Sequence, residues 1–314
     1  MERREFLIST TAGLAVAATS AWAQSPRRDP AKAARIAIMT LSFNPILKGA
    51  NFEDAPERTL DLMDIGQVLA DRWAVHNVEL QHSHLPSTEE AWLNDFKARL
   101  AKSKSQVSNI NLEFGPLNIS APQLTARLQA IDLTKQWIDH AVVLGSPRIM
   151  INQGAPTEEN KQIAIETLKA MGDYAKSKGV KVGMENRGAV SPDVLGLRGR
   201  AGEPPPPPPP PALAPLLVEV IKGAGTYANC DIGNFNDQAA QHAGMRLMLP
   251  LTDGNTHVKL RPDRFDLPTA LKLAKELGYT GLFSIEANAN MAPAMGPDPY
   301  ANVQKVYDVI VANI

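Results

Sequence analysis

Four apolar runs between Val182 and Glu286 each carry, at or near their end, a side chain able to ligate a metal. They read Val182-Gly183-Met184-Glu185-Asn186, Tyr227-Ala228-Asn229-Cys230-Asp231, Thr256-His257-Val258-Lys259 and Leu282-Phe283-Ser284-Ile285-Glu286. Three carboxylates and one imidazole can close around one divalent cation, and an oxygen-rich shell of this kind suits Mn²⁺, with Mg²⁺, Co²⁺ and Zn²⁺ compatible. No two of the four stand at the local spacing of a zinc finger or an HExxH helix, so they meet only if the fold gathers successive strand ends. An acid closing one apolar run is usually a solvated strand end. Three acids and a histidine marking consecutive runs point instead to a metal site of Glu185, Asp231, His257 and Glu286.

The elements that would position them alternate strictly. Strands are expected at Arg35–Met39, Asn77–Gln81, Val107–Phe114, Arg148–Asn152, Val180–Glu185, Tyr227–Asp231, His257–Lys259 and Leu282–Glu286. Continuous apolar runs of this length mark parallel strands covered on both faces. Helices are expected at Pro56–Trp73, Thr88–Lys102 behind a Ser87 cap, Gln123–Leu144, Thr157–Lys178, Leu213–Lys222, Asp237–Leu249, Pro268–Leu277 and Ala301–Ile314. Gly179 and Gly278 occupy the positions at which glycine ends a helix. Eight strand–helix units favour a single (β/α)8 TIM barrel over an open doubly wound sheet, and no GxGxxG turn supports a dinucleotide site. Active sites of such barrels lie at the carboxyl ends of the strands, where these ligands fall.

The 314 residues suffice for one such domain spanning residues 35–314. A net charge of −1 and an aromatic content of 5% give no basis for a nucleic-acid partner. Cys230 is the sole cysteine, so no intramolecular disulfide forms, and its setting reads as a buried strand residue. Residues 1–23 read as a signal peptide: Arg3-Arg4 ahead of Glu5-Phe6-Leu7, a mild apolar stretch, then Ala21-Trp22-Ala23. The paired arginines resemble a twin-arginine export signal, so the mature chain is expected in the periplasm or outside the cell, with no stable membrane insertion once the signal is removed. Residues 24–34 read as a linker. A Pro-rich insertion, residues 187–211, holds Arg198, Arg200 and the run Pro204–Pro211. That run predicts a stiff polyproline segment at about 3.1 Å per residue, fit for a lid, an oligomer contact or a tolerated surface insertion.

The ordered set Glu185-Asn186, Asp231, His257-Val258-Lys259 and Ile285-Glu286 resembles the ligand pattern of the xylose-isomerase-like barrels, a family of sugar isomerases and epimerases. The resemblance runs from Arg35 to the C-terminus. It implies a small-molecule sugar substrate and a cation that acidifies a proton next to a carbonyl, with Glu185 and Glu286 exchanging that proton and Lys259 stabilising the developing oxyanion. It also implies sugar contacts from Glu79 and His82 at the end of the second strand. Asn152, Asn186, Asn234 and Arg261 are further candidates to meet the substrate, and His84 reads as a loop histidine.

Two departures bear on the reaction. Asn234 stands where members that epimerise keto-sugars usually carry a histidine, and Leu260 where many carry an aspartate. An isomerase or epimerase of a non-phosphorylated keto-sugar is expected, with β-elimination from a 3-keto glycoside by a lyase or dehydratase as the alternative. A non-catalytic sugar-binding barrel is the rival of another class, but both glutamates are retained. A histidine-rich trinuclear nuclease is disfavoured by six histidines in all and the near-neutral charge.

Overall fold

The computed structural model describes residues 29–49, 55–115, 117–187, 214–288 and 295–314. The expected signal peptide, and the Pro-rich insertion beyond Arg187, lie outside the described residues. Eight strands form the sheet: β1 (Ile36–Met39), β2 (Asn77–Gln81), β3 (Gln106–Leu112), β4 (Arg148–Asn152), β5 (Lys181–Glu185), β6 (Tyr227–Asn229), β7 (Asn255–Val258) and β8 (Leu282–Ile285). They pair in parallel in the order β6-β5-β4-β3-β2-β1-β8-β7. The β6–β7 seam has no regular ladder. It is drawn together by an Ala228–Thr252 bridge, by Ile232 N donating to His257 O at 3.1 Å, and by Asn255 Nδ2 donating to Asn229 Oδ1 at 2.9 Å. The result is a nearly closed barrel.

The helices are α1 (Pro30–Ala33), α2 (Ile65–Trp73), α3 (Glu90–Lys102), α4 (Leu124–Leu144), α5 (Lys161–Ser177), α6 (Ala214–Ala224), α7 (Gln238–Met248), α8 (Leu267–Glu276) and α9 (Pro299–Asn313). Side chains such as Leu69, Trp73, Phe96, Leu168, Leu217, Leu271 and Val306 fill the layer between helices and strands. Among the described residues no helix is long and apolar enough to cross a membrane.

Several boundaries move for local reasons. The expected helix from Pro56 starts only at a 3-10 turn, Leu62–Asp64, because Leu60 is committed to a bridge with Leu47 and Asp61 caps Met63 N at 2.9 Å. Ser87 does not cap α3; Glu89 stands at that position, and the Ser87 hydroxyl accepts the Glu89 N–H at 3.0 Å. Residues Thr157 to Asn160 form a turn closed by Thr157 N on Asn160 Oδ1 at 2.6 Å, so α5 begins at Lys161. The expected linker contains a single helical turn, α1, whose Lys32 Nζ donates to Val311 O at 2.6 Å. Gly179 and Gly278 take left-handed φ values of 74° and 73° just past their helices.

The barrel interior departs from the usual apolar filling. All five residues of β2 are buried, yet Asn77, Glu79 and Gln81 alternate with Val78 and Leu80. Between Val78 and Glu79 the β2–β3 register shifts, pairing Val78 with Val107 but Glu79 with Asn109. The intervening Ser108 turns its hydroxyl to Val78 O at 3.2 Å. A bulge re-aims side chains, and this one leaves Glu79 and Asn109 side by side within hydrogen-bonding reach, 2.9 Å between Asn109 Nδ2 and Glu79 Oε1.

Candidate metal centre

Glu185 ends β5, Asp231 follows β6 by two residues, His257 lies within β7 and Glu286 directly follows β8. The four come together. One ligand atom from each lies within 4.8 Å of the others, and all four residues are buried. Six-coordinate ions of this class hold oxygens at about 2.1 Å, which sets neighbouring ligands about 3 Å apart and opposite ones about 4.2 Å apart. The cluster therefore has the span of a single-ion shell.

Asp231 shows how the fold presents a ligand. Its backbone leaves the ladder because its N–H donates to Asn186 Oδ1 at 2.7 Å, while Asn186 Nδ2 donates to Asp231 O at 3.0 Å. Its Oδ1 accepts Gly233 N at 2.7 Å. Oδ2 is buried. Lys259 Nζ pairs with it at 2.6 Å. Three buried carboxylates against one ammonium and one imidazole leave an excess of acid that is costly unless a further cation offsets it, so the donor set fits a divalent ion.

His257 bridges two groups of acids. Its Nδ1 faces Glu185 Oε1 at 3.0 Å, Glu286 Oε2 at 3.7 Å and Asp231 Oδ2 at 3.9 Å. Its Nε2 meets Glu79 Oε1 at 2.6 Å. Burial acts to lower the imidazole pKa, but the charges of Glu79 and Glu185 and their hydrogen bonds outweigh it and hold the pKa well above the usual histidine range. Burial pushes the Glu185 carboxyl up to about 7 against the pull of His257. Lys259 Nζ also lies 3.0 Å from Glu286 Oε2 and donates to Asn234 Oδ1 at 2.9 Å. Burial opposes its charge, but Asp231 and Glu286 keep the ammonium strongly protonated.

The expected sugar contacts divide. Glu79 has no exposed surface, and its oxygens are occupied by His257, Asn109 and Asn255, so it stands behind His257 with neither oxygen free. Asn186 is likewise buried and spends its amide on Asp231, leaving no group for a sugar hydroxyl. Asn234 holds Lys259 at the mouth. Asn152 is half-buried beside Glu185 in register, with its oxygen on Gly154 N at 3.2 Å. His82 packs edge-on to Phe114 and Trp137 and accepts Glu113 N at 3.3 Å; burial lowers its pKa. Arg261 pairs with Asp263 at 2.9 Å in the loop after β7. His84, expected as a loop histidine, is 3% exposed within a 3-10 turn and bonds Thr40 Oγ1 at 3.0 Å. Cys230 is buried as expected, and burial raises its thiol pKa.

Arg187 escaped the sequence reading, where it appeared only as the first residue of the insertion. It pairs with Glu113, two strands away. Burial lowers its pKa, while the charges of Glu286 and Asp231 favour its cation. Its place directly after Glu185-Asn186 was the available signal.

Fold and cluster together define an α/β barrel with an acid-rich, metal-competent centre at the carboxyl ends of its strands. A family model described as "Xylose isomerase-like TIM barrel" matches residues 70–190. No curated protein matches the chain. Among solved structures, an L-ribulose 3-epimerase superposes with a TM-score of 0.64 at 15% identity, covering 89% of this chain and 93% of that one. A 3-keto-D-glucoside 4-epimerase from E. coli gives 0.58 at 11% identity, covering 89% and 98%. A xylose isomerase-like barrel from Mycobacterium smegmatis, in complex with magnesium, gives 0.57 at 16%, covering 90% and 98%. The fold is thus a TIM barrel, with residues 70–190 similar to the xylose isomerase-like family model.

Proposed function

We propose that this chain is a metal-dependent sugar isomerase or epimerase of the xylose isomerase-like family. The observation that carries the reading is the buried cluster of Glu185, Asp231, His257 and Glu286, whose ligand atoms lie within 4.8 Å of one another. These four residues would hold one divalent ion, Mn²⁺ first and Mg²⁺, Co²⁺ or Zn²⁺ as alternatives. Bound there, the ion would supply Lewis acidity toward a carbonyl and its neighbouring hydroxyl.

The rest is the work of side chains. Glu185, held at the end of β5 beside His257, would take the carbon-bound proton. Glu286, from the neighbouring side of the cluster, is the partner that returns it. Lys259, anchored by Asn234, offers a fixed positive charge to the oxygen that gains electron density. Arg187 and His82 line the mouth as candidate sugar contacts, with Asn152 and Arg261 as weaker ones.

A non-phosphorylated keto-sugar is the proposed substrate class, supported by the likeness to the L-ribulose and 3-keto-D-glucoside epimerases. Export through a twin-arginine signal in residues 1–23, which this reading retains, fits a neutral sugar met outside the cytoplasm. The 3-keto-glucoside likeness also keeps β-elimination as a second reading, since it begins with the same proton abstraction.

The test pairs metal analysis with proton exchange. The mature protein should carry about one divalent ion per chain, and His257→Ala should lose it. Neutral ketoses and 3-keto glycosides incubated in D2O should exchange the proton next to the carbonyl; release of an aglycone would select the lyase reading. A wild-type chain that takes up no Mn²⁺, Co²⁺ or Zn²⁺ would leave a sugar-binding barrel as the better account.

A further inference from the structure

The metal ligand His257 has its far nitrogen on a carboxylate that the cluster itself does not use. Glu79 Oε1 lies 2.6 Å from Nε2, and it also accepts Asn109 Nδ2 at 2.9 Å. Its Oε2 accepts Asn255 Nδ2 at 3.2 Å, and Asn255 is itself tied to Asn229 at 2.9 Å. Glu79 is wholly buried, with Asn109, Asn229 and Asn255 each 3% exposed or less. Its place depends on the β-bulge at Ser108, without which Asn109 would not stand opposite it.

We propose that Glu79 is a positioning residue, which holds His257 with its proton on Nε2 and so presents Nδ1 to the cation. The inference rests on the metal-centre reading above. Its argument is one of donors and acceptors. A carboxylate already receiving two amide N–H groups can only accept, so the nitrogen facing it must carry a proton. Nδ1 then faces three carboxylates from 3.0 to 3.9 Å. With no cation bound those carboxylates hold a proton on Nδ1 as well, and a divalent ion would take that proton's place. An acceptor behind a ligating imidazole also fixes its rotation and raises its basicity. Serving this role leaves Glu79 no part in touching substrate.

Glu79→Gln, Asn109→Ala and wild type would be titrated with Co²⁺ alone, following the visible d–d bands and competing with a chromophoric chelator. The Zn²⁺-loaded, histidine-labelled proteins would be read by ¹H–¹⁵N spectroscopy for the protonated ring nitrogen. Wild type should show Nε2–H and a metal-shifted Nδ1. Glu79→Gln should weaken Co²⁺ binding roughly 10- to 100-fold and alter the d–d spectrum. Asn109→Ala, which keeps Glu79 in place, should lose less, in the same direction, and serves if the glutamine variant does not fold. Wild type binding no Co²⁺ would overturn the metal centre and this role with it. Wild type binding Co²⁺ while both variants match it in affinity and spectrum would overturn the role of Glu79 alone.

Discussion

The two ends of the barrel both carry buried or half-buried charge, and they use it differently. At the amino-terminal end Asp253 takes Lys181 Nζ at 2.5 Å and stands 3.6 Å from Arg148 Nε, while Lys181 also lies 5.4 Å over the Tyr227 ring. Arg148 and Asp253 keep about a fifth of their side-chain surface, and Arg148 further donates to Ser108 O at 3.0 Å. Here cations outnumber the acid and water reaches the pair. At the carboxyl-terminal end Glu79, Glu185, Asp231 and Glu286 outnumber Lys259 and the imidazole, at 7% exposure or less throughout. An excess of buried acid has no cheap resting state: it must hold protons or a metal. Charge that is paired and wet is a strut; charge that is crowded, dry and in excess of one sign is a site.

That contrast is sharpest at Lys259. Lys259→Met should lower kcat by roughly 10²- to 10³-fold, the loss typical of removing one oxyanion-stabilising group, while Co²⁺ uptake persists. Steady-state kinetics beside a metal titration check it, and an unchanged kcat would make Lys259 a strut as well. The amino-terminal end should respond in stability and not in chemistry. A Cβ on Gly281 would lie 2.6 Å from the Gly254 backbone, which already has a φ of +76°. Gly281→Ala should therefore cost about 1–3 kcal/mol through overpacking, read as a lower thermal midpoint with an unaltered metal affinity. Asp253→Ala should have the smallest effect. It removes two ion pairs with one or both partners solvated, worth about 1 kcal/mol or less, and should move the midpoint by about 2 °C. A fall in metal affinity on Asp253→Ala would show that the two ends are coupled and would break the comparison.

How much of this was legible in the chain differs from residue to residue. The ligands were legible because strand ends at the mouth of a barrel must be polar, so Glu185, Asp231, His257 and Glu286 stood out against their apolar runs. Helix starts were less so: Asp237, Asp266 and Asp298 cap α7, α8 and α9 by local hydrogen bonds, but Ser87 and Pro56 promised starts that neighbouring backbone commitments displaced. Glu79 was visible only as one polar residue in Asn77-Val78-Glu79-Leu80-Gln81. That alternation is foreign to a parallel strand covered on both faces, and it could have marked a polar interior.

The chain by itself therefore indicated the eight-unit alternation, the barrel and the four residues of the cluster, because hydrophobic period and strand-end polarity are local properties. That Glu79 stands behind His257 and not at the mouth was decided by the tertiary structure alone. Glu79 and His257 are 178 residues apart. They meet because a bulge at Ser108 and the closure of β7 onto β8 bring β2 and β7 across the same interior. Asn186 and Arg187 are the same case: one residue apart in sequence, they part at the end of β5, one to hold Asp231 and the other to reach Glu113. Residue type and spacing name the chemistry a chain can do, but only packing assigns each acid its partner.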